Sequence, residues 1–248
     1  SKDTVWFISD GLCRFYNNTI YRFSKKNPEF TFDIINDIAI DSGDTLWLIT
    51  EKGLISFDHY HFKTIDSMNV NCNNLMIDKN DNIWYFSKNE KNRGLIKYDK
   101  KNIYSYSPEN SKLPSSSIRS IALDADNTLW VATCDKVNSG SIVKIQGKDW
   151  HVFNESNTGI PMYYFTNKTL TTDKENHLYV KIDYSLSSSF SIGSPSVIKY
   201  NGINWYVIDT VSNIMDWPEI IGCGENNSIW AKGIYNANLS YFDGNIWH

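Results

Sequence analysis

Aromatic and hydrogen-bonding side chains gather in a few irregular segments of the sequence, where they could bind a sugar or a peptide. These segments cover residues 25–34, 156–167, 183–196 and 210–219. A flat ring can stack on the apolar face of a sugar while polar groups beside it bond the sugar's edges. The candidate ligand-binding residues in and near these segments are Phe32, Asn36, Arg119, Tyr163, Tyr164, Tyr184, Asp216 and Trp217. The alternative for any one aromatic is that it folds back and fills the core.

The residues that could catalyse a reaction or hold zinc do not form a recognisable set. His59 and His61 make a His-x-His pair, but no third ligand stands at a suitable spacing for zinc. Asp216 and Glu219 are two carboxylates three residues apart in a loop, which is poor evidence for glycosidase chemistry. We therefore expect no catalytic residues, no metal and no cofactor.

One turn resembles the start of a calcium-binding loop. Asp78, Asn80 and Asn82 have the spacing with which an EF-hand loop begins. The glycine that such a loop requires is replaced by Ile83, and its last glutamate by Asn89. The sequence therefore predicts a hairpin turn here.

The cysteines stand in different parts of the chain and include no C-x-x-C pair. Small buried side chains explain them better than a disulfide or a metal site does. They are Cys13, Cys72, Cys134 and Cys223.

A repeated phrase organises the elements that would carry these residues. IAIDSGDTLWLIT (38–50) returns as LMIDKNDNIWYFS (75–87) and IALDADNTLWVAT (121–133), with looser copies at 170–182 and 221–233. Consecutive landmark aromatics are 37 to 51 residues apart, a period typical of repeat architectures. The landmarks are Trp6, Trp47, Trp84, Trp130, Tyr179 and Trp230.

Each repeat carries four short strand signals, which predicts an all-β chain. In one repeat they are SIRSIALD, TLWVATC, SIVKIQ and DWHVFN, separated by polar turn residues. Four-stranded units repeated in a ring are the blades of a β-propeller. We expect six blades in a single domain, 1–248, with the first blade lacking its first strand and a seven-bladed parent protein as the alternative. The approximate repeats are 1–27, 28–68, 69–110, 111–157, 158–211 and 212–248.

The repeated polar and aromatic positions are expected to be structural. An Asp six residues before the landmark aromatic would end the first strand and open a tight turn, as at Asp41. Gly224 replaces this Asp in the last repeat. The landmark rings would pack between blades, and the Tyr179 hydroxyl would need a partner.

Composition excludes some classes of partner. The net charge is −4 and the sequence has no basic stripe, so nucleic acid is not expected to bind. No apolar run reaches the roughly 20 residues that a membrane span needs. The chain starts at Ser1 and enters a strand directly, from which we expect that a leader has been removed.

A family resemblance adds to these expectations. SPENSKLPSSSIRSIALDADNTLWVAT (107–133) resembles the repeat of the two-component regulator propeller family, and KGLISFD (52–58) and RGLIKYD (93–99) resemble its next strand. GKDW (147–150) and NGINW (201–205) resemble the end of its repeat. The resemblance implies a bacterial propeller that is periplasmic or secreted and that acts as a sensor, often of glycan fragments.

The function expected from these observations is ligand recognition without catalysis. Strands alternate in direction across a blade, so loops between blades share one face with the insertion at 183–196, and binding residues usually lie on such loops. A carbohydrate is the first candidate ligand, on the strength of the resemblance. The alternative is a protein–protein interaction scaffold, and a further hypothesis after it is a propeller lyase or glycoside-active enzyme.

Overall fold

The computed structural model describes most of the chain. The described residues are 4–24, 30–67, 74–87, 94–135, 140–160, 162, 165, 168–182, 196–208, 218–224, 226–233, 239–244, 246 and 248, of which 196, 218–221 and 233 are described by backbone alone. The chain divides into two compact units, Ser1–Ser105 and Tyr106–His248.

The first unit consists of antiparallel sheets that follow one another along the chain. Each sheet joins consecutive strands in sequence order. The strands are β1 (Val5–Ile8), β2 (Leu12–Tyr16) and β3 (Thr19–Phe23); β4 (Ile35–Ile40), β5 (Leu46–Thr50), β6 (Gly53–Phe57) and β7 (Phe62–Asp66); and β8 (Met76–Ile77), β9 (Ile83–Ser87), β10 (Gly94–Tyr98) and β11 (Ile103–Tyr106).

The second unit repeats this organisation. Its strands are β12 (Ile118–Leu123), β13 (Leu129–Cys134), β14 (Gly140–Gln146) and β15 (Asp149–Phe153); β16 (Leu170–Thr172), β17 (Leu178–Ile182), β18 (Ser196–Tyr200) and β19 (Trp205–Ile208); and β20 (Pro218–Cys223), β21 (Ile229–Gly233) and β22 (Leu239–Phe242). The one helix among the described residues, α1 (Glu155–Thr158), is a single turn capped by the side chain of Asn154.

The fold is the six-bladed β-propeller that the repeats predict. Six antiparallel sheets form its blades, and the first contains three strands that correspond to the second, third and fourth of the other blades. In the last blade, His248 and Tyr241 exchange backbone hydrogen bonds of 2.8 and 3.1 Å, which begins a fourth strand beside β22. The single-domain expectation and the seven-bladed parent stay predictions.

The second strand of a typical blade is buried along its whole length. Every residue of β5, β9, β13 and β17 is buried. A strand covered on both faces gains from apolar residues at successive positions rather than at alternate ones. The runs LWLIT, IWYFS, LWVATC and LYVKI are therefore nearly continuous in apolar residues, with small polar side chains only at their ends and one lysine.

Four of the landmark aromatics are hydrogen-bonded to the Asp that precedes them by six residues. The indole Nε1 of Trp47 donates to Asp41 Oδ2 at 2.9 Å, while the other oxygen, Oδ1, accepts from the backbone N–H groups of Gly43 and Thr45. The same arrangement joins Trp84 to Asp78 at 2.9 Å. One carboxylate therefore closes the turn and also orients the ring of the next strand.

The fourth blade keeps this bond, and the last two blades keep the connection with a different donor or acceptor. Trp130 donates to Asp124 at 3.1 Å, and the Tyr179 hydroxyl donates to Asp173 at 3.2 Å, which supplies the partner that the sequence required. In the last blade, where Gly224 has no side chain, the Ser228 hydroxyl accepts from Trp230 Nε1 at 3.1 Å.

Landmark rings lie between neighbouring blades of the same unit. Trp6 contacts Phe57 edge to face at 5.8 Å between ring centroids, and Trp47 contacts Tyr98 at 5.8 Å. In the second unit, Trp130 contacts Tyr200 of the next blade at 5.6 Å. Edge-to-face packing of this kind adds to the area buried between blades.

The tight turns of neighbouring blades are hydrogen-bonded to each other. Asp81 accepts from the backbone N–H of Ser42 at 3.0 Å, and Asn176 accepts from that of Asp126 at 3.1 Å. Asn227 accepts from the backbone N–H of Lys174 at 3.3 Å. The three acceptors occupy the same turn position, three residues after the landmark Asp or its Gly replacement, and have φ values of 58° to 66°.

No helix among the described residues is both long enough and apolar enough to cross a membrane.

Candidate ligand-binding site

Much of the loop face expected to bind a ligand lies outside the described residues. The candidate residues there are Tyr163, Tyr164, Tyr184, Asp216 and Trp217. Their part in binding stays a prediction. The structure describes the side chains of the other three candidates, Phe32, Asn36 and Arg119.

Phe32 fills the core of the first unit. Its side chain is 1% exposed, and its ring centroid lies 4.1 Å from that of Phe30 and 5.5 Å from that of Phe62. A ring covered by other rings has no face left for a ligand to stack on. Phe32 is therefore removed from the candidate site, because it makes the inward packing that the sequence left open as the alternative.

Asn36 and Arg119 occupy equivalent positions in their blades. Each is half-buried and lies at a register shift in the first strand, Asn36 between Ile35 and Asp37 of β4 and Arg119 at the same place in β12. A bulge inserts an extra residue, bends the strand and re-aims the side chain, and bulges recur beside functional sites. Their place near the mouth of a central channel stays a prediction.

The oxygens of the landmark carboxylates accept hydrogen bonds from the turn and from the landmark ring. Both oxygens of Asp78 accept hydrogen bonds, from the backbone N–H groups of Asn80 and Asn82 on one side and from Trp84 on the other. The turn that resembles a calcium loop is therefore a hairpin turn held by N–H donors. Burial alone would raise the pKa of Asp41, but hydrogen bonds from Lys100 and Trp47 hold that pKa below its usual value.

A three-residue cluster in the fifth blade offers possible metal ligands. Single donor atoms of Asp173, Glu175 and His177 lie within 4.8 Å of one another. His177 Nδ1 is 2.8 Å from Asp173 Oδ2 and 3.6 Å from Glu175 Oε2. The Asp173 carboxylate is buried and also accepts from Tyr179 and from two turn N–H groups. Hydrogen bonding within the turn accounts for this cluster.

A cavity of about 330 Å³ lies beside that turn. Its lining includes Thr172, Asp173, Lys174, Cys223 and Gly224. Burial raises the pKa of the Cys223 thiol, the nearby Asp173 carboxylate raises it further, and Lys174 opposes both. A protonated thiol is a poor nucleophile and a poor metal ligand, so Cys223 is not activated.

A second cavity, in the first unit, has the composition of a binding site. It measures about 260 Å³ and lies at the tight-turn ends of the first two blades. Sequence reasoning did not find it, because its residues come from strands and turns that are distant along the chain. Its lining includes Thr4, Arg14, Tyr16, Asp44, His59 and Tyr60.

Arg14 is the central charge of this cavity. In β2 it lies directly opposite Trp6 of β1 and Tyr21 of β3, so the three side chains form one row on the same face of the sheet. The guanidinium carbon is 4.7 Å from the Tyr21 ring centroid, 5.8 Å from Trp6 and 5.9 Å from Tyr16. Rings around a cation stabilise it through their negative faces.

The Arg14 guanidinium has no anionic partner among the described residues. No ion pair or hydrogen bond joins it to them, and its buried Nε makes no hydrogen bond. The carboxylate lining the cavity, Asp44, instead faces His59, whose Nε2 lies 3.3 Å from Asp44 Oδ2 and 2.7 Å from its backbone oxygen.

A cation over the landmark ring recurs in other blades. Lys97 lies 5.3 Å from the Trp84 ring centroid, and Lys144 lies 5.5 Å from that of Trp130. Lys199 lies 5.2 Å from Tyr179 in the fifth blade. In each case the lysine is directly opposite the ring on the neighbouring strand. The first blade is distinguished by a guanidinium and by additional tyrosine rings.

The two histidines of the His-x-His pair contact different carboxylates. His59 contacts Asp44, whereas His61 Nδ1 lies 3.7 Å from Asp58 Oδ2. The His59 ring also lies 5.7 Å from that of Trp6, at the edge of the Arg14 cavity. His59 therefore belongs to the cavity wall, a role that the His-x-His pattern did not indicate.

Comparison with known proteins supports the family resemblance. Residues 112–135 match the family described as two component regulator propeller. This segment lies within the repeat on which the resemblance rested. No curated protein sequence is significantly similar to the chain.

Solved structures similar to this chain have propeller folds and low sequence identity. The extracellular domain of BT3049 from B. thetaiotaomicron, named as a hybrid two-component system, is 16% identical with a TM-score of 0.68; the match covers 97% of this chain and 31% of that one. The extracellular domain of BT4673 from the same organism is 18% identical with a TM-score of 0.58, covering 88% and 28%. This chain thus spans about a third of their length or less.

An enzyme has a similar fold. Virginiamycin B lyase from Staphylococcus aureus is 13% identical with a TM-score of 0.62, and the match covers 86% of this chain and 68% of the lyase. At such identities the likeness indicates the fold alone.

Proposed function

The chain carries the two-component regulator propeller repeat in a six-bladed β-propeller, and from this premise we propose that it is a non-catalytic sensor module that recognises an extracellular ligand. The single observation that carries the proposal is the match at residues 112–135. The similar extracellular domains of BT3049 and BT4673 support it, since both belong to proteins named as two-component systems. We place the module outside the cytoplasm, in the periplasm or beyond it.

A carbohydrate fragment is the proposed ligand. Sugar recognition needs exposed rings beside hydrogen-bonding groups, and we propose two regions for it. One is the proposed loop face of the second unit, with Tyr163, Tyr164, Tyr184, Asp216 and Trp217 and the bulge residue Arg119; Asn36 is a separate candidate in the first unit. The other is the Arg14 cavity, where Tyr16 and Tyr60 are 37% and 80% exposed.

A protein–protein scaffold is the second candidate function. The other face of the first sheet exposes an apolar cross-strand row, Val5 opposite Phe15 opposite Ile20, with exposed fractions of 57%, 38% and 60%. An apolar patch of this kind is typical of an interaction surface. This candidate predicts binding to a protein and indifference to sugars.

A thermal-shift screen of the purified chain against a library of neutral and acidic oligosaccharides tests the proposal. A ligand that binds only the folded state stabilises it by about 2.7 kcal/mol at a hundredfold excess over Kd. We expect a saturable rise in Tm with one oligosaccharide class, with chromatography showing that the sugar is recovered intact. If no sugar raises the Tm, the carbohydrate proposal is contradicted. If the bound sugar is cleaved, the protein is an enzyme and the proposal of a non-catalytic sensor is wrong.

The double substitution Tyr164→Ala with Trp217→Ala separates the two proposed regions. If the loop face binds the sugar, affinity falls at least tenfold while Tm without ligand stays unchanged. Unaltered affinity in a folded double variant excludes those two residues and directs attention to the Arg14 cavity.

A further inference from the structure

We propose that the cavity at Arg14 binds the carboxylate of an acidic saccharide, one that contains a hexuronic acid. The saccharide part of this inference rests on the proposed function, whereas the carboxylate part rests on the cavity alone. The occupant is defined by three features of the wall: a cation with no anionic partner among the described residues, a set of rings within 6 Å of that cation, and exposed tyrosines beside it.

The cation requires an anion that the described residues do not provide. A guanidinium presents N–H donors in a rigid planar fork that matches a carboxylate. The Nε of Arg14 is buried and unbonded, so a ligand must approach the terminal nitrogens from the cavity. Such a contact would neutralise the charge without rearranging the wall.

The surrounding rings hold the fork in place before a ligand arrives. Trp6, Tyr16 and Tyr21 all lie within 6 Å of the guanidinium carbon. Because Arg14 lies in the middle strand of its sheet, opposite Trp6 and Tyr21, its backbone is fixed as well. Pre-organisation lowers the entropy that binding must otherwise cost.

The acidic group in the wall favours a singly charged anion. Asp44 lines the same cavity, so a dianion such as phosphate meets more repulsion there than a carboxylate does. The Asp44 carboxylate also lies 3.3 Å from His59 Nε2 in the same wall. A monoanionic carboxylate therefore suits the balance of charges better than phosphate.

The tyrosines indicate that the carboxylate is attached to a ring. Tyr60 is 80% exposed, and among the described residues its ring pairs with that of His61 at 6.5 Å between centroids. Such a ring can cover the apolar face of a sugar, as an exposed Tyr does in many binding sites. Arg14 would then bond the carboxylate of the sugar while Tyr60 stacks on its ring.

Calorimetric titration of the whole chain with a hexuronate trisaccharide and with its carboxyl-reduced counterpart tests the inference. The two probes differ only in the group that Arg14 would contact. We expect the acid trisaccharide to bind at least tenfold more tightly, and Arg14→Met to abolish that preference. Arg14→Lys, which keeps the charge and loses the fork, should retain only part of it.

A matched control lies on the same sheet. Arg22 of β3 is exposed and lies opposite Cys13 on the other face, so Arg22→Met removes the same charge away from the cavity. This variant should keep the preference for the acid probe. Tyr60→Ala, at a residue that is 80% exposed, should weaken the binding of both probes by a similar factor.

The outcomes separate this inference from the proposed function. Persistence of the acid preference in a folded Arg14→Met variant overturns the inference, and so does binding of phosphate or sulfate at Arg14 as tight as that of the acid probe. Arg14-dependent binding of acetate or of an acidic peptide, with no binding of the trisaccharide, overturns the saccharide assignment. Binding of sugars with no preference for the acid probe over its carboxyl-reduced counterpart overturns the inference and leaves the sensor proposal intact.

Discussion

Trp130 donates its indole N–H to Asp124 at 3.1 Å, while the same carboxylate accepts from the backbone N–H of Asp126 at 3.0 Å and of Thr128 at 2.8 Å. The carboxylate is thus the common acceptor of a turn and of a ring that packs between blades. Removing it leaves three buried or partly buried donors without their acceptor, a larger loss than that of one surface hydrogen bond.

Replacing this carboxylate should destabilise the fold strongly. We expect Asp124→Ala to lower the free energy of unfolding by about 3 kcal/mol, and Trp130→Phe, which removes one donor and some packing, by about 1 to 2 kcal/mol. Urea denaturation measures both. The double variant should lose less than the sum of the two, and strict additivity would show that the pair is not coupled.

The ion pair of Lys100 with Asp41 predicts a pH dependence. Lys100 Nζ lies 2.7 Å from Asp41 Oδ2, and this contact and Trp47 hold the pKa of Asp41 below its reference of 3.8. A lowered pKa in the folded state contributes stability above the unfolded-state pKa, and that contribution is lost as pH falls through the folded-state value.

Lys100→Met should therefore be less stable than the parent at pH 7, by about 1 kcal/mol because Lys100 is partly exposed. The difference should shrink as pH falls below 3.8 towards the folded-state pKa of Asp41. Chemical denaturation at pH 7 and at pH 2.5 measures it. Lys101→Met, next in sequence and exposed, is the control and should show no such dependence.

Gly140 is closely packed at the start of β14. A Cβ there would lie 2.3 Å from the Met162 backbone oxygen and 2.8 Å from Phe165 Cε2. Gly140→Ala should lower the free energy of unfolding by about 1 to 3 kcal/mol, because the backbone at Met162 or at Gly140 has to move. Gly43→Ala is the matched control, since its nearest atom is 3.4 Å away, and it should change Tm little. An equal effect of the two substitutions would show that β14 is free to shift.

Asn176 combines two roles that can be separated. Its φ is 66°, and its side-chain amide exchanges bonds of 3.1 and 2.8 Å with Asp126 of the preceding blade. Asn176→Gly keeps the backbone geometry and loses the bonds, which should lower the free energy of unfolding by about 1 kcal/mol. Asn176→Ala adds backbone strain of about 1 kcal/mol. Equal stabilities of the two variants would show that the left-handed geometry is not strained.

The repeats made the fold predictable because they recur in sequence. Positions such as Asp41 and Trp47 keep a fixed spacing within a repeat, so the turn and the ring could be assigned before any contact was known. Gly224 marked an exception, and the replacement acceptor, Ser228, lies four residues further on, where the pattern gave no reason to look.

The candidate site was less predictable because it depends on contacts across strands. Composition cannot distinguish a loop aromatic that turns outwards from one that fills the core, and Phe32 does the second. The Arg14 cavity requires the register that puts Arg14 opposite both Trp6 and Tyr21, together with a turn from the next blade. None of these relationships has a fixed spacing along the chain.

The turn-to-turn hydrogen bonds have a consequence for cooperativity. In a repeat protein, stability divides into the intrinsic stability of each unit and the coupling between neighbours. Asn176 and Asn227 each contribute to both quantities. Each has the left-handed conformation that shapes its own hairpin, and its side chain also accepts a hydrogen bond from the hairpin of the preceding blade. A blade of the second unit that loses its hairpin therefore weakens its neighbour as well, so we expect these blades to exchange their amide protons as one group.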